Sequence, residues 1–413
     1  MNKPRRHDLS DKGAIILGGA HGSLEITRSL GRRGIRVWLI TADNPLPGLS
    51  RYVERTLSWP GPGSDDALRF LAEICGRDAL TGWVLLPGSD EDVRFVAQNH
   101  AALTAQFTLV TPAWDKLRWA ADKRLMNLRA AELGIAYPHS FYPKTREDLS
   151  RIDLSFPVIL KPTARDDRNR FADAKAWRAD DLAALVSRYD KAKSLIGADR
   201  IMIQEMIPGG GTTQFSYAAV WHGGRPIASL TAQRCRQYPI DFGFTSTLVE
   251  TVRRPEIEAA ASKFLSALDF TGLVEIEFKY DTRDGTYKIL DVNPRAWTWL
   301  GLGAAAGIDF AALQWQLACG ESVAPAEART GAQWRYLSRD IAALLAETIA
   351  GRMSPLGYVK GLHRSSAFAV FAWDDPWPAF LDLPLSALRI ATRRLARRGR
   401  ETATALQSAK ITP

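Results

Sequence analysis

The chain has 413 residues, 46% of them hydrophobic and 24% charged, with a formal net charge of +9. That length calls for two or three compact units at roughly 100–200 residues each, and the composition excludes a disordered chain. Three widely spaced cysteines, Cys75, Cys235 and Cys319, exclude a disulfide framework and argue against a zinc site, and no apolar run reaches the roughly 18 residues of a membrane span.

Residues 1–12 read as a flexible polar leader without the apolar stretch of a signal peptide. Residues 14–17 form an apolar strand that ends in Gly18-Gly19-Ala20-His21-Gly22-Ser23. A helical pattern follows over 24–33, Gly34 stops it, and 37–40 is the next strand. A further strand at 83–86 runs through Pro87-Gly88-Ser89-Asp90-Glu91 into a helix, and 107–110 is another strand. Repeated βα units imply a parallel sheet with helices on its faces, an α/β unit. The glycine turn is no dinucleotide fingerprint: it lacks G-x-G-x-x-G, and Ile40-Thr41-Ala42 stands where an acidic residue would grip a ribose.

From 112 to 134 the pattern is helical, with Lys123 near the start of a helix bearing Leu125, Leu128 and Leu133. Residues 156–162 form a short apolar strand ending at Lys161-Pro162. A glycine-free stretch rich in Arg and Asp, 163–174, comes next, then a helix at 180–189. A strand at 201–207 is closed by Pro208-Gly209-Gly210-Gly211. Strands at 215–220 and 225–230, a helix at 256–268, and a hairpin-like pair at 273–280 and 287–292 complete an α+β nucleotide-binding unit. Beyond 301 the chain turns helical. It ends in a basic helix in which Leu385, Leu388 and Leu395 recur among Arg389, Arg393, Arg394, Arg397 and Arg398.

Chemistry concentrates in Glu275-Ile276-Glu277-Phe278 and Leu290-Asp291-Val292-Asn293-Pro294-Arg295. Strand side chains alternate faces, so Glu275 shares a face with Glu277, and Asp291 with Asn293. Antiparallel pairing then sets Glu277 opposite Asp291 and Asn293. Three oxygen-bearing side chains on one face suit a hard cation, and magnesium carrying phosphate is the usual occupant. Lys161, at a strand end, and Lys123, near a helix start, are placed to hold phosphates as point charges. The strand end Gln204-Glu205-Met206-Ile207 reads by itself as an ordinary strand running into a turn, and backbone groups free for an adenine edge are the alternative.

The order Lys123, FPVILKP, IQEMIPGG, LVEIEF, ILDVNPR resembles the ATP-grasp superfamily, from the N-terminal α/β unit to about residue 310. Within it, Asn293-Pro294-Arg295-Ala296-Trp297-Thr298-Trp299 and the segment 233–247 are most similar to D-aspartate-ligase-like and carbamoyl-phosphate-synthase-like carboxylate–amine ligases. The resemblance implies a Rossmann-like pre-ATP-grasp domain at 13–115, a small ATP-grasp lobe at 116–195, a large lobe at 196–330 and an extension at 331–413. It implies that Lys123 and Lys161 hold ATP phosphates, that Gln204, Glu205, Met206 and Ile207 form the adenine hinge, and that Glu277, Asp291 and Asn293 ligate two magnesium ions, with manganese as a substitute. Arg295 would stabilise the transferring phosphoryl group. The glycine turn and the 87–91 turn would line the acceptor pocket, with Asp90 and Glu91 holding a substrate amine.

The resulting expectation is a cytoplasmic, ADP-forming ligase that activates a small carboxylate as an acyl phosphate and passes it to an amine or thiol. A bicarbonate-activating enzyme like carbamoyl-phosphate synthase or biotin carboxylase, and a non-catalytic nucleotide-binding regulator, are the alternatives. No nucleic acid partner is expected. A homodimer stays open, and for the basic C-terminal helix a solvated reading is favoured over contact with an anionic membrane.

Overall fold

The computed structural model describes residues 12–42, 44–163, 176–238, 245–349 and 365–385, together with Gly351, Leu356, Tyr358 and Leu362. The expectations for the leader, the 163–174 loop beyond Thr163 and the terminal basic helix beyond Leu385 fall outside the described residues.

Five parallel strands, β1 (Ala14–Leu17), β2 (Val37–Thr41), β3 (Arg55–Ser58), β4 (Val84–Pro87) and β5 (Thr108–Leu109), stand in the order β3-β2-β1-β4-β5. β1 is an unbroken apolar run because both of its faces are covered. Ala14 and Ile16 pack with Leu24, Ile26 and Leu30 of α1 (His21–Arg32). Ile15 and Leu17 pack with Leu71, Ile74 and Cys75 of α2 (Ala67–Arg77). β3 had no place in the expectations: its side chains are mostly exposed, so it carries no apolar signal. Two further helices, α3 (Asp90–Gln98) and α4 (His100–Thr104), precede β5.

The helical stretch after 112 is two helices, α5 (Trp114–Ala121) and α6 (Lys123–Glu132). The break falls at Asp122, whose extended backbone lets its carboxylate accept from the N–H groups of Arg124 and Leu125 as an N-cap. An antiparallel sheet follows, in the order β6-β9-β7-β8, from β6 (Ser140–Phe141), β7 (Val158–Pro162), β8 (Trp177–Ala179) and β9 (Ile201–Glu205). It thus runs past residue 195 to Glu205. Leu185, Tyr189 and Ala192 of α7 (Leu182–Ile196) cover Val158, Leu160, Ile201 and Ile203.

The largest sheet has eight strands: β10 (Gln214–His222), β11 (Arg225–Tyr238), β12 (Thr245–Val252), β13 (Gly272–Asp281), β14 (Thr286–Asn293), β15 (Ala326–Glu327), β16 (Gln333–Arg335) and β17 (Ser365–Phe368). Its order is β14-β13-β10-β11-β12-β16-β17, with β15 beside β11. One face packs on α5, α6 and α8 (Pro255–Ala267), through Tyr217, Val274, Ile276 and Phe278. The other shares a core with α1, α9 (Gly301–Ala306) and α10 (Phe310–Ala318). The stretch after 330 therefore belongs to this sheet through β16 and β17, separated by α11 (Leu337–Ile349). No helix among the described residues is long and apolar enough to cross a membrane.

Candidate active site on the β13–β14 hairpin

The hairpin pairs Glu277 with Asp291, as expected, but sets Asn293 opposite Glu275 rather than Glu277. A bulge between Glu277 and Phe278 causes the rest. Phe278 faces Ile289 while Glu277 faces Asp291, so Leu290 is the extra residue. Without it Ile289 and Asp291, two apart, would share a face. With it, Ile289 and Val292 enter the core while Asp291 and Asn293 turn to the open face, the way bulges re-aim side chains beside active sites.

Charge on that face is crowded. Glu275, 5% exposed, accepts from Ser216 Oγ at 2.9 Å and Asn293 Nδ2 at 3.2 Å. Burial, with the Glu277 charge beside it, pushes its carboxyl up to about 7. Glu277 accepts from Gln214 Nε2 at 2.6 Å and lies 3.8 Å from Arg234 Nη2. Lys123 Nζ sits 2.6 Å from Asp291 Oδ1. Among the described residues no three acidic, His or Cys side chains converge into a closed metal cage. Two carboxylates, an amide oxygen and a like-charged buried neighbour on one face nonetheless fit a magnesium ion, which keeps several waters and phosphate oxygens of its own.

Lys161 stands on β7 opposite Met202, on the face away from the α7 core that Val158 and Leu160 fill. The Lys123 N–H donates to the Thr163 carbonyl at 3.1 Å, so the start of α6 abuts the end of β7. In the segment expected to meet adenine, the Gln204 side chain donates to Ser140 Oγ at 2.9 Å. The Glu205 carboxylate meets Arg283 at 2.7 Å and Lys288 at 3.1 Å on the large sheet. Although burial would raise it, Glu205 is held below the usual carboxylate range by the His139 N–H, Lys288 and Arg283. These two side chains thus tie β9 to β6 and to the β13–β14 hairpin.

Arg295 is the main departure. Its Nε and Nη2 meet Asp90 at 2.5 and 3.0 Å, and Nη1 donates to the Ala296 carbonyl at 2.9 Å. Burial works against its charge, but the Asp90 carboxylate outweighs it and holds the guanidinium firmly protonated. Asp90, expected to hold an amine, instead orients Arg295, because a bidentate fork is the best partner for a carboxylate at a half-buried turn. The turns meet behind this pair. Gly19 has φ +80, and a Cβ there would lie 2.1 Å from Ser23 Oγ and 2.8 Å from the Gly88 carbonyl, so only glycine lets the 18–23 and 87–91 turns touch. His21 opens α1 without capping it; its ring lies 4.7 Å from Tyr336 and its Nε2 3.7 Å from Asp382.

Gln214, Ser216 and Arg234 went unnoticed in the sequence. Gln214 and Ser216 are alternate polar positions in an otherwise apolar strand, which was a usable signal. Arg234 was not readable, since β11 has register shifts between Arg234 and Gln237 that send Arg234 toward Glu277 and Arg236 to Asp340, at 2.8 Å.

Residues 215–339 match a family model described as ATP-grasp in the biosynthetic pathway with Ter operon. That segment holds Glu277, Asp291, Asn293 and Arg295; Lys123, Lys161 and residues 204–207 precede it. No curated protein matches the sequence. Among solved structures the chain is similar to an L-amino acid ligase from Bacillus licheniformis, with TM-score 0.58, 18% identity and 78% of each chain covered. It is also similar to the biotin carboxylase domain of 2-oxoglutarate carboxylase from Hydrogenobacter thermophilus, in complex with magnesium ADP and bicarbonate, with TM-score 0.61, 14% identity and coverage of 78% of this chain and 73% of that one. Phosphoribosylglycinamide synthetase from Anaerococcus prevotii gives TM-score 0.55 and 16% identity over 75% of this chain and 76% of that one. At these identities the likeness is one of fold, and the ATP-grasp family model accounts for residues 215–339 of the 413.

Proposed function

We propose that the protein is an ATP-dependent carboxylate–amine ligase that works through an acyl phosphate and releases ADP and phosphate. The observation that carries this reading is the convergence of Glu277, Asp291 and Asn293 on one hairpin face with Lys123 at 2.6 Å from Asp291 and Arg295 at the hairpin's end. A carboxylate attacking a γ-phosphate is an anion meeting an anion, so the site must supply positive charge and hold both groups in line. Lys123 and Lys161 bind the ATP phosphates, the backbone around 204–207 takes the adenine edge, and Arg295 faces the phosphoryl group in transfer. Glu277, Asp291 and Asn293 would hold magnesium, which would supply Lewis-acid neutralisation of the phosphate oxygens. The amine then attacks the acyl carbon and phosphate departs.

The direct test is a panel of amino acids, small carboxylates and bicarbonate, scored for ADP release with magnesium and ATP, alone and with added amines. An acid that gives ADP only with an amine, and a hydroxamate with hydroxylamine, establishes the ligase. ADP release with bicarbonate alone points to the bicarbonate-activating class, and AMP with pyrophosphate refutes phosphoryl transfer to the acid.

Two variants probe the parts. Lys161→Ala is expected to weaken ATP binding about tenfold or more in titration calorimetry, since it removes a point charge from the phosphates. Unchanged affinity would take Lys161 out of the site. Arg295→Lys is expected to lower kcat about 100-fold, about 3 kcal/mol, with little change in the KM for ATP, because lysine cannot form the planar fork. Asp90→Asn should shift kcat in the same direction but less, and Asp90→Glu should recover part of it. A variant that alters only KM would place Arg295 in ground-state binding.

A further inference from the structure

The short helix at 377–385 is built inside out. Its polar anchor points inward: Asp382, 6% exposed, accepts from Tyr336 Oη at 3.1 Å and Ser338 Oγ at 3.2 Å and stands 3.7 Å from His21 Nε2. Just upstream, Asp375 is buried against Arg28, and Asp374 is gripped by Arg32 and Tyr52. These three aspartates fix the rotation of the segment. What they leave outside is apolar: Trp373 is 90% exposed, Trp377 64%, Phe380 68% and Leu383 62%, with Leu381 beside them. The rings are in mutual contact, Phe371 with Trp373 at 4.8 Å and Trp377 with Phe380 at 6.3 Å. Single exposed apolar residues are ordinary, but a surface helix normally turns its charges to water and its aromatics inward. Several large exposed apolar side chains within residues 373–383 mark a binding face.

The sequence beyond the patch narrows what binds there. Between Asp382 and Glu401 there is no acidic residue, while Arg389, Arg393, Arg394, Arg397, Arg398 and Arg400 all fall in that stretch. Tryptophan and phenylalanine suit the headgroup boundary of a bilayer, and a polybasic run suits anionic lipid. Neither signal alone gives stable attachment, and their adjacency supplies both.

We propose that the Trp373, Trp377, Phe380 and Leu383 face docks the protein on an anionic phospholipid surface. The face belongs to the C-terminal segment rather than to the nucleotide site, so its test needs no ATP and does not depend on the proposed reaction. The full chain is sedimented with vesicles of phosphatidylcholine alone or with roughly one third phosphatidylglycerol, at low and high salt. Wild-type protein is expected to partition onto the anionic vesicles at least about tenfold more than onto the neutral ones, with a blue-shifted tryptophan emission and a loss at high salt. Trp373→Ser/Trp377→Ser/Phe380→Ser should lose at least about tenfold of that partitioning while keeping the melting temperature, since those side chains are mostly exposed. No partitioning of the wild type onto anionic vesicles overturns the proposal. So does partitioning that the triple variant retains, which would leave the arginines alone responsible. A wild-type dimer in light scattering that the triple variant dissociates overturns it too, by assigning the face to self-association.

Discussion

Asp291→Ala is expected to slow ATP turnover about a thousandfold, about 4 kcal/mol of barrier, while leaving the protein folded. Asp291 lies at the open face of β14 with its side chain 31% exposed, so its loss opens no cavity. Its role is charge. Glu277 already has Gln214 and Arg234 as partners, and Glu275 is pushed toward neutrality by burial and by Glu277. Asp291 is therefore the carboxylate of the set that is both half open and opposite Glu277, the position from which a cation can be shared with a phosphate. Its neighbour Lys123 would be left without the partner now 2.6 Å away. Asn293→Ala should act similarly, because Asn293 joins Glu275 to Arg295 through Nδ2 at 3.2 Å and Oδ1 at 3.4 Å. Turnover is measured as ADP release at saturating ATP, with circular dichroism and melting as fold controls. Raising magnesium should partly restore an Asp291→Asn variant. Wild-type turnover in a folded Asp291→Ala protein would remove the hairpin from the chemistry.

What was legible in the sequence was whatever has a local signature. β1 and β4 announced themselves as short apolar runs because helices cover them on both sides. The even positions Val274, Ile276 and Phe278 enter the core while Glu275 and Glu277 do not, so plain alternation exposed the site face. The register of the hairpin was less accessible. Adjacent Ile289 and Leu290 hint at an extra residue, but only the pairing shows that Leu290 is the one that bulges and that Asn293 meets Glu275. Arg295 was found by its place in Asn293-Pro294-Arg295, yet its partner Asp90 lies 205 positions away and leaves no mark near it. The same holds for Asp374, Asp375 and Asp382. Each depends on residues far back in the chain.

Asp375 gives the largest expected effect on stability. It is 0% exposed, and it accepts from Arg28 Nε at 2.9 Å, Ser50 Oγ at 2.7 Å and the Arg51 N–H at 2.9 Å. Arg28, 1% exposed, also donates to the Val370 carbonyl at 2.7 Å and the Asp375 carbonyl at 2.8 Å. The ion pair therefore nails the C-terminal segment to α1 at a fully buried site. Asp375→Ala removes one charge and strands the other, a loss of about 3–5 kcal/mol. Attraction and desolvation nearly cancel for a buried pair that is intact, so the damage comes from the uncompensated guanidinium and not from the pair's own strength. Arg28→Met/Asp375→Leu should accordingly recover much of the stability that Asp375→Ala loses, short of what Ser50 and the Arg51 N–H forfeit. Urea unfolding, followed by tryptophan emission, reads both. A single variant no worse than about 1 kcal/mol would mean that water reaches Arg28 and that the segment detaches easily. A double variant as damaged as the single would mean that the pair holds the geometry by its hydrogen bonds rather than by charge balance.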